Sequence, residues 1–152
     1  MSEILVVGGA GYIGSHMCKY LHQQGMSPIV LDNLSLGHRE AVKWGPLYEG
    51  CLDDETLLQR IFSEHSIDAV MHFAAFCYVG ESVLEPLKYY ENNISATIGL
   101  LRSMVEHGVK KLIFSSTCAT YGEPKELPIT EDHPQNPINP YGRTKLMMEQ
   151  IL

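Results

Sequence analysis

The chain has 152 residues, about one domain's worth, with 45% hydrophobic and 19% charged residues, the make-up of an ordinary globular protein. Eleven Lys and Arg against 18 Asp and Glu give a net charge of −7, a poor match for nucleic acid or an anionic membrane surface, so any phosphate-bearing ligand must be held by local dipoles against the overall field. No charged-then-apolar leader and no apolar run of membrane-spanning length is present, which points away from a membrane partner. Cys18, Cys51, Cys77 and Cys118 lack C-x-x-C spacing and the seven histidines lack ligand spacing, so free thiols in a reducing cytoplasm are expected, not disulfides or a metal site.

Along the chain, apolar runs alternate with helical patterns. "ILVV" predicts a buried strand, and "YIGSHMCKYLHQQG" a helix with Ile13, Met17, Tyr20 and Leu21 on its apolar face and Gly25 as its stop. "PIVLD" is a second strand, "NLSLGHREAVKWG" mostly loop, and "LYEG" a short third strand. "DDETLLQRIFSEHS" predicts a helix capped by Asp53 or Asp54. "DAVMHFAA" is a fourth strand, "PLKYYENNISATIGLLRSMVEHG" one long helix ending at Gly108, and "KKLIFSST" a fifth strand. A loop with Pro124, Pro128, Pro134, Pro137 and Pro140 leads into the helical "YGRTKLMMEQIL". Strands and helices in alternation predict an α/β fold, a doubly wound parallel sheet of Rossmann type, with ligands bound beyond the carboxyl ends of the strands.

Gly8, Gly11 and Gly14 lie between the first strand and first helix. One glycine is needed for the tight turn, one for close approach of a pyrophosphate, and one for close helix–strand packing. The spacing also fits Gly9, Gly11 and Gly14, so the pattern alone leaves the register open. Asp32, 18 residues past Gly14 at the end of the second strand, suits a carboxylate that accepts from ribose hydroxyls and repels a 2′-phosphate. Asn33 follows it with no adjacent arginine, which favours NAD over NADP; Arg39 could argue otherwise but reads better as a solvated loop residue.

Tyr141 and Lys145 are four residues apart and share a helix face. An ammonium beside a phenol lowers the phenol's pKa and suits it to take a proton from a hydroxyl as hydride departs. The same spacing also occurs as an ordinary amphipathic pair. Ser115, Ser116 and Thr117 place hydroxyls at the end of the fifth strand, where they serve equally as strand-end caps or as donors to a reacting oxygen.

Taken together, "GGAGYIGSH", "DNLSLGHREAV", "HFAAFCYVGESV", "YYENNISATIGLL", "FSSTCATYGEP" and "NPYGRTKLMMEQIL" resemble the extended short-chain dehydrogenase/reductase family, and within it the nucleotide-sugar 4-epimerases. The resemblance runs the whole length of the chain. It implies a bound NAD and interconversion of UDP-glucose and UDP-galactose through a 4-keto sugar. Tyr141 would be the base, Lys145 would hold the nicotinamide ribose, and Thr117 would bond the 4-oxygen. Cofactor contacts would come from Gly8, Gly11, Tyr12, Ile13, Gly14, Asp32, Asn33, Cys51, Leu52, Phe73, Ala74, Ala75, Cys77, Asn92, Ser115, Tyr141 and Lys145. Dehydratases of the family carry an Asp-Glu pair after the Thr, where this chain has Cys118 and Ala119. Many relatives have Asp at Cys51 and Lys at Cys77. The resemblance further implies a homodimer formed through helices near Ser82 and Tyr141. It also implies a chain roughly twice as long, so that residues 1–152 would be an NAD-binding Rossmann domain, cut within its last helix, without the C-terminal substrate domain. An epimerase or dehydrogenase for another nucleotide sugar and a non-catalytic NAD-binding module are the alternatives.

Overall fold

Runs of Val, Ile and Leu build five parallel strands: β1 (Glu3–Val7), β2 (Ser27–Asp32), β3 (Leu47–Glu49), β4 (Ile67–His72) and β5 (Leu112–Phe114). The computed structural model describes residues 1–152, which fall into two units: residues 1–74 with 96–115, and residues 75–95 with 116–152.

The first unit holds the whole sheet, in the order β3-β2-β1-β4-β5. The chain winds outward from β1 to β3, then returns to β4 on the other side of β1, which makes the β1/β4 boundary the switch point. Alternation along β1 sends side chains to both faces. Ile4 and Val6 join Val30 in a cluster with Cys18 and Leu21 of α1 (Tyr12–Gln23). Leu5 and Val7 join a second cluster with Leu58, Ile61 and Phe62 of α2 (Glu55–Glu64) and Leu100 and Met104 of α5 (Ala96–Glu106). The sheet is therefore covered on both faces, as expected of a doubly wound Rossmann-type fold. Asp54 caps α2 by accepting from the Leu57 N–H at 2.9 Å.

The second unit is helical: α3 (Val79–Leu84), α4 (Pro86–Tyr90), a π-turn (Glu91–Ser95) and α6 (Pro140–Ile151). Asn139 caps α6 by accepting from the Gly142 N–H at 2.8 Å, and Pro140 occupies its first turn, where a missing N–H costs nothing.

Four expectations need correction. The buried face of α1 is Gly14, Cys18 and Leu21, while Ile13 and Tyr20 are exposed. β4 ends at His72, because the Phe73 and Ala74 N–H groups turn to donate to the Val7 carbonyl at 2.8 and 3.1 Å and so cap β1. β5 has only three residues, since its single neighbour β4 pairs with no more of it. The long helix predicted over residues 86–108 is interrupted by the π-turn, whose Asn93 side chain bonds outside the helix, and α3 precedes it where the resemblance, but not the residue pattern, implied a helix near Ser82.

Candidate functional site

Within the first unit, the predicted residues gather at the carboxyl edge of the sheet. Gly8 sits directly after β1 with φ +81°, and a Cβ there would lie 2.6 Å from the Ala74 nitrogen. A Cβ on Gly14 would drive into the Gly8 carbonyl oxygen. Gly11 is the N-cap of α1, and a Cβ on it would meet nothing closer than 3.4 Å. Gly9 instead faces the Val30 side chain. By these contacts Gly8 supplies a turn, Gly11 an open approach and Gly14 a close packing point. The N–H groups of Tyr12, Ile13 and Gly14 open the helix, where geometry leaves them without intrahelical partners, and Tyr12 and Ile13 are exposed there. That end of α1 fits an anionic pyrophosphate in the manner of a helix N-terminus.

Asp32 ends β2 and is buried. Its two oxygens accept from the Ala10 N–H (2.9 Å) and the Leu34 N–H (2.8 Å), which fixes the carboxylate while leaving lone pairs for a hydroxyl. Asn33 donates to the Cys51 Sγ at 3.4 Å, so these two predicted residues touch. Phe73 and Ala74 follow β4 beside the glycine turn, and Ser115 follows β5 with its N–H on the His72 carbonyl at 3.1 Å. Leu52 differs from the rest: its side chain belongs to the core, which leaves only its backbone for a ligand. Arg39 is engaged in an ion pair with Glu49.

Within the second unit lie Ala75, Cys77, Asn92, Thr117, Tyr141 and Lys145. The Thr117 hydroxyl lies near the Tyr141 phenol and acts to lower its pKa. Thr117 also caps a short 3-10 turn (Cys118–Thr120) by accepting from the Ala119 N–H at 3.2 Å. Ser116, by contrast, donates to Glu149 of α6. Tyr141 is half-buried and Lys145 is buried on the same face of α6.

The electrostatics correct the sequence expectation. Burial raises the Tyr141 phenol above its ordinary value, the Thr117 hydroxyl pulls the other way, and the Lys145 ammonium is not among the groups that lower it. Burial pushes Lys145 down from 10.5 to about 8, opposed only by the negative charge that the nearby Cys77 thiol can carry. Between about pH 8 and 10.5 the folded chain therefore binds fewer protons at Lys145 than the unfolded chain, so this residue makes folding more favourable as pH rises through that window. Thermal melts from pH 8 to pH 10 should show wild type gaining on a Lys145→Met variant, by up to about 3 kcal/mol over the full window. A pH-independent difference would contradict the assignment.

Asn93 is the residue that sequence reasoning missed; its neighbour Asn92 was expected in a binding role. The Asn93 amide accepts from the Phe76 N–H (2.9 Å) and donates to the Phe76 carbonyl (3.0 Å) and to the Thr144 Oγ1 (3.1 Å). Asn92 donates to the Asn93 Oδ1 at 2.9 Å. On the other side of Cys77, the Tyr89 hydroxyl bonds the Tyr78 N–H and carbonyl at 3.1 and 2.9 Å and donates to Glu81 at 2.6 Å. The exposed Cys77 is thus flanked by two clamped residues. The signal available in the sequence was the Asn-Asn pair inside a helical pattern, since Asn competes with helix geometry by bonding elsewhere.

Comparison with known proteins adds a family. Residues 4–152 match the model of the NAD dependent epimerase/dehydratase family. The chain is 52% identical over 149 residues to a UDP-glucose 4-epimerase of Rhizobium leguminosarum bv. trifolii, covering 98% of this chain and 46% of that protein. The crystal structure of UDP-glucose 4-epimerase from Brucella ovis in complex with NAD superposes with a TM-score of 0.98 at 53% identity, over 100% of this chain and 47% of that one. The UDP-Glc/GlcNAc 4-epimerase of Campylobacter jejuni gives a TM-score of 0.94 at 44% identity, over 99% and 48%. The chain spans about half the length of the curated relatives it matches.

Proposed function

Because the chain belongs to the NAD dependent epimerase/dehydratase family, we propose that residues 1–152 are the NAD-binding part of a UDP-glucose 4-epimerase, with Tyr141 as base and Thr117 and Lys145 as its partners. The observation that carries this reading is the Thr117 hydroxyl beside the Tyr141 phenol, with Lys145 buried on the same helix face as Tyr141. When bound, NAD would supply a reversible hydride acceptor for the sugar C4, and its positive charge would lower the phenol that burial raises. Gly8, Gly11, Tyr12, Ile13 and Gly14 would hold the pyrophosphate through backbone N–H groups, and Asp32 and Asn33 the adenosine ribose. Cys51, the Leu52 backbone, Phe73, Ala74, Ala75, Cys77, Asn92 and Ser115 would complete the cofactor contacts. Tyr141 would accept the proton of the sugar 4-hydroxyl and return it, and Thr117 would bond the same oxygen and keep the phenol oriented.

Cys118 and Ala119 after Thr117 offer no acid/base pair for eliminating water, which favours epimerisation over dehydration. The Campylobacter jejuni relative is named for both UDP-Glc and UDP-GlcNAc, so the N-acetyl sugars are the second substrate class of this reading. Exposed Val79, Val83, Leu84 and Leu87 on α3 and α4 support a homodimer, and four free cysteines fit a reducing cytoplasm. No helix is long and apolar enough to cross a membrane.

The test is a chimera joining this sequence to the remaining half of the Brucella ovis enzyme. Conversion of UDP-galactose to UDP-glucose by the purified chimera is the expected result. A chimera that folds and retains NAD without converting either sugar would overturn the substrate assignment.

A further inference from the structure

Asp32 and Glu49 are register partners at the carboxyl ends of β2 and β3, so two carboxylates stand side by side at that edge of the first unit. Arg39 reaches Glu49 from the loop between those strands. That loop is tied to the glycine turn: the His38 N–H donates to the Ala10 carbonyl at 3.0 Å, and a Cβ on Gly37 would lie 3.0 Å from the Asp32 Oδ1. The guanidinium therefore originates two residues from the point where the loop touches the Asp32 carboxylate, and it is already engaged.

We propose that Glu49 is a specificity-determining residue, which withholds Arg39 from a ribose 2′-phosphate so that Asp32 and Glu49 together select NAD over NADP. A phosphomonoester carries close to two negative charges at neutral pH, and a guanidinium is its best side-chain partner. A free Arg39 would offset the repulsion from Asp32, whereas an Arg39 held by Glu49 does not. The two carboxylates differ in how they are held. Asp32 is fixed by two backbone N–H groups, while the Arg39–Glu49 pair is more than half exposed. An exposed pair contributes little to folding, so Glu49 can be changed without losing the fold.

The inference rests on the NAD reading above, and one set of calorimetric titrations tests both. NAD and NADP are titrated into the 152-residue chain as wild type, Asp32→Ala, Asp32→Ala with Glu49→Gln, and that pair with Arg39→Ala, each verified as folded by circular dichroism. Asp32→Ala alone should narrow the preference for NAD. Adding Glu49→Gln should strengthen NADP binding by about tenfold more with NAD little changed, the scale of one charge-assisted hydrogen bond, and this gain should weaken with added salt. Adding Arg39→Ala should abolish the gain. NADP affinity indifferent to Glu49→Gln, or a gain that survives without Arg39, overturns the role of Glu49 while leaving NAD binding intact. A wild-type chain that binds neither dinucleotide overturns both.

Discussion

Tyr141→Phe in the active chimera should lower turnover by ~10²–10⁴-fold, the usual loss when a general base is removed, with NAD retention unchanged. The phenol oxygen is the one atom deleted, and the ring that packs at the start of α6 remains. The Thr117 hydroxyl stands beside that oxygen, so Thr117→Val should also slow turnover, by a smaller factor. The two losses should not add when combined, because both act on one oxygen. Rate and cofactor content are read on the same preparation. A Tyr141→Phe enzyme within a few-fold of wild type would mean that another group moves the proton.

Gly14→Ala should damage both the fold and the cofactor site. Its Cβ would collide with the Gly8 carbonyl oxygen and the Gly9 Cα, both backbone atoms that cannot swing aside. The start of α1 would have to move away from the turn that it closes. Overpacking of this kind costs roughly 1–3 kcal/mol, enough to lower Tm by several degrees in a chain of this length. The displaced N–H groups should weaken NAD binding at least tenfold, measured by calorimetry. Gly80→Ala is the control: it lies in α3 with no atom within 4 Å of the new Cβ, and should leave stability unchanged or slightly raised. Equal effects at the two positions would remove the packing argument.

The sheet was legible because its information is local and redundant. Each strand is an apolar run, each crossover helix carries a periodic face, and the glycines and Asp32 fall at the only edge where such a sheet binds ligands. What stayed hidden was set by contacts distant in sequence. The choice between Gly8 and Gly9 depends on Ala74, which a Cβ on Gly8 would strike, and on Val30, which Gly9 already faces. The early end of β4 follows from the Val7 carbonyl taking two N–H groups. The π-turn is invisible to periodicity, because Asn93 departs from the helix to satisfy Phe76 and Thr144. The direction of the Tyr141 shift was misjudged because i, i+4 spacing says which side chains share a face, whereas burial decides which charge is tolerated there.

The clamps on Phe76 and Tyr78 have a dynamic consequence. Residues between secondary-structure elements ordinarily wander on fast timescales, each peptide group moving on its own. Here the backbone polar groups on both sides of Cys77 are tied to two side chains that are almost wholly buried, Asn93 and Tyr89. Releasing either tie gives up hydrogen bonds made by a buried side chain, each worth about 0.5–1.5 kcal/mol net. The stretch from Phe76 to Tyr78 therefore opens with the helices around it, as part of a cooperative unit, and carries its exposed thiol with the positional fidelity of a core residue.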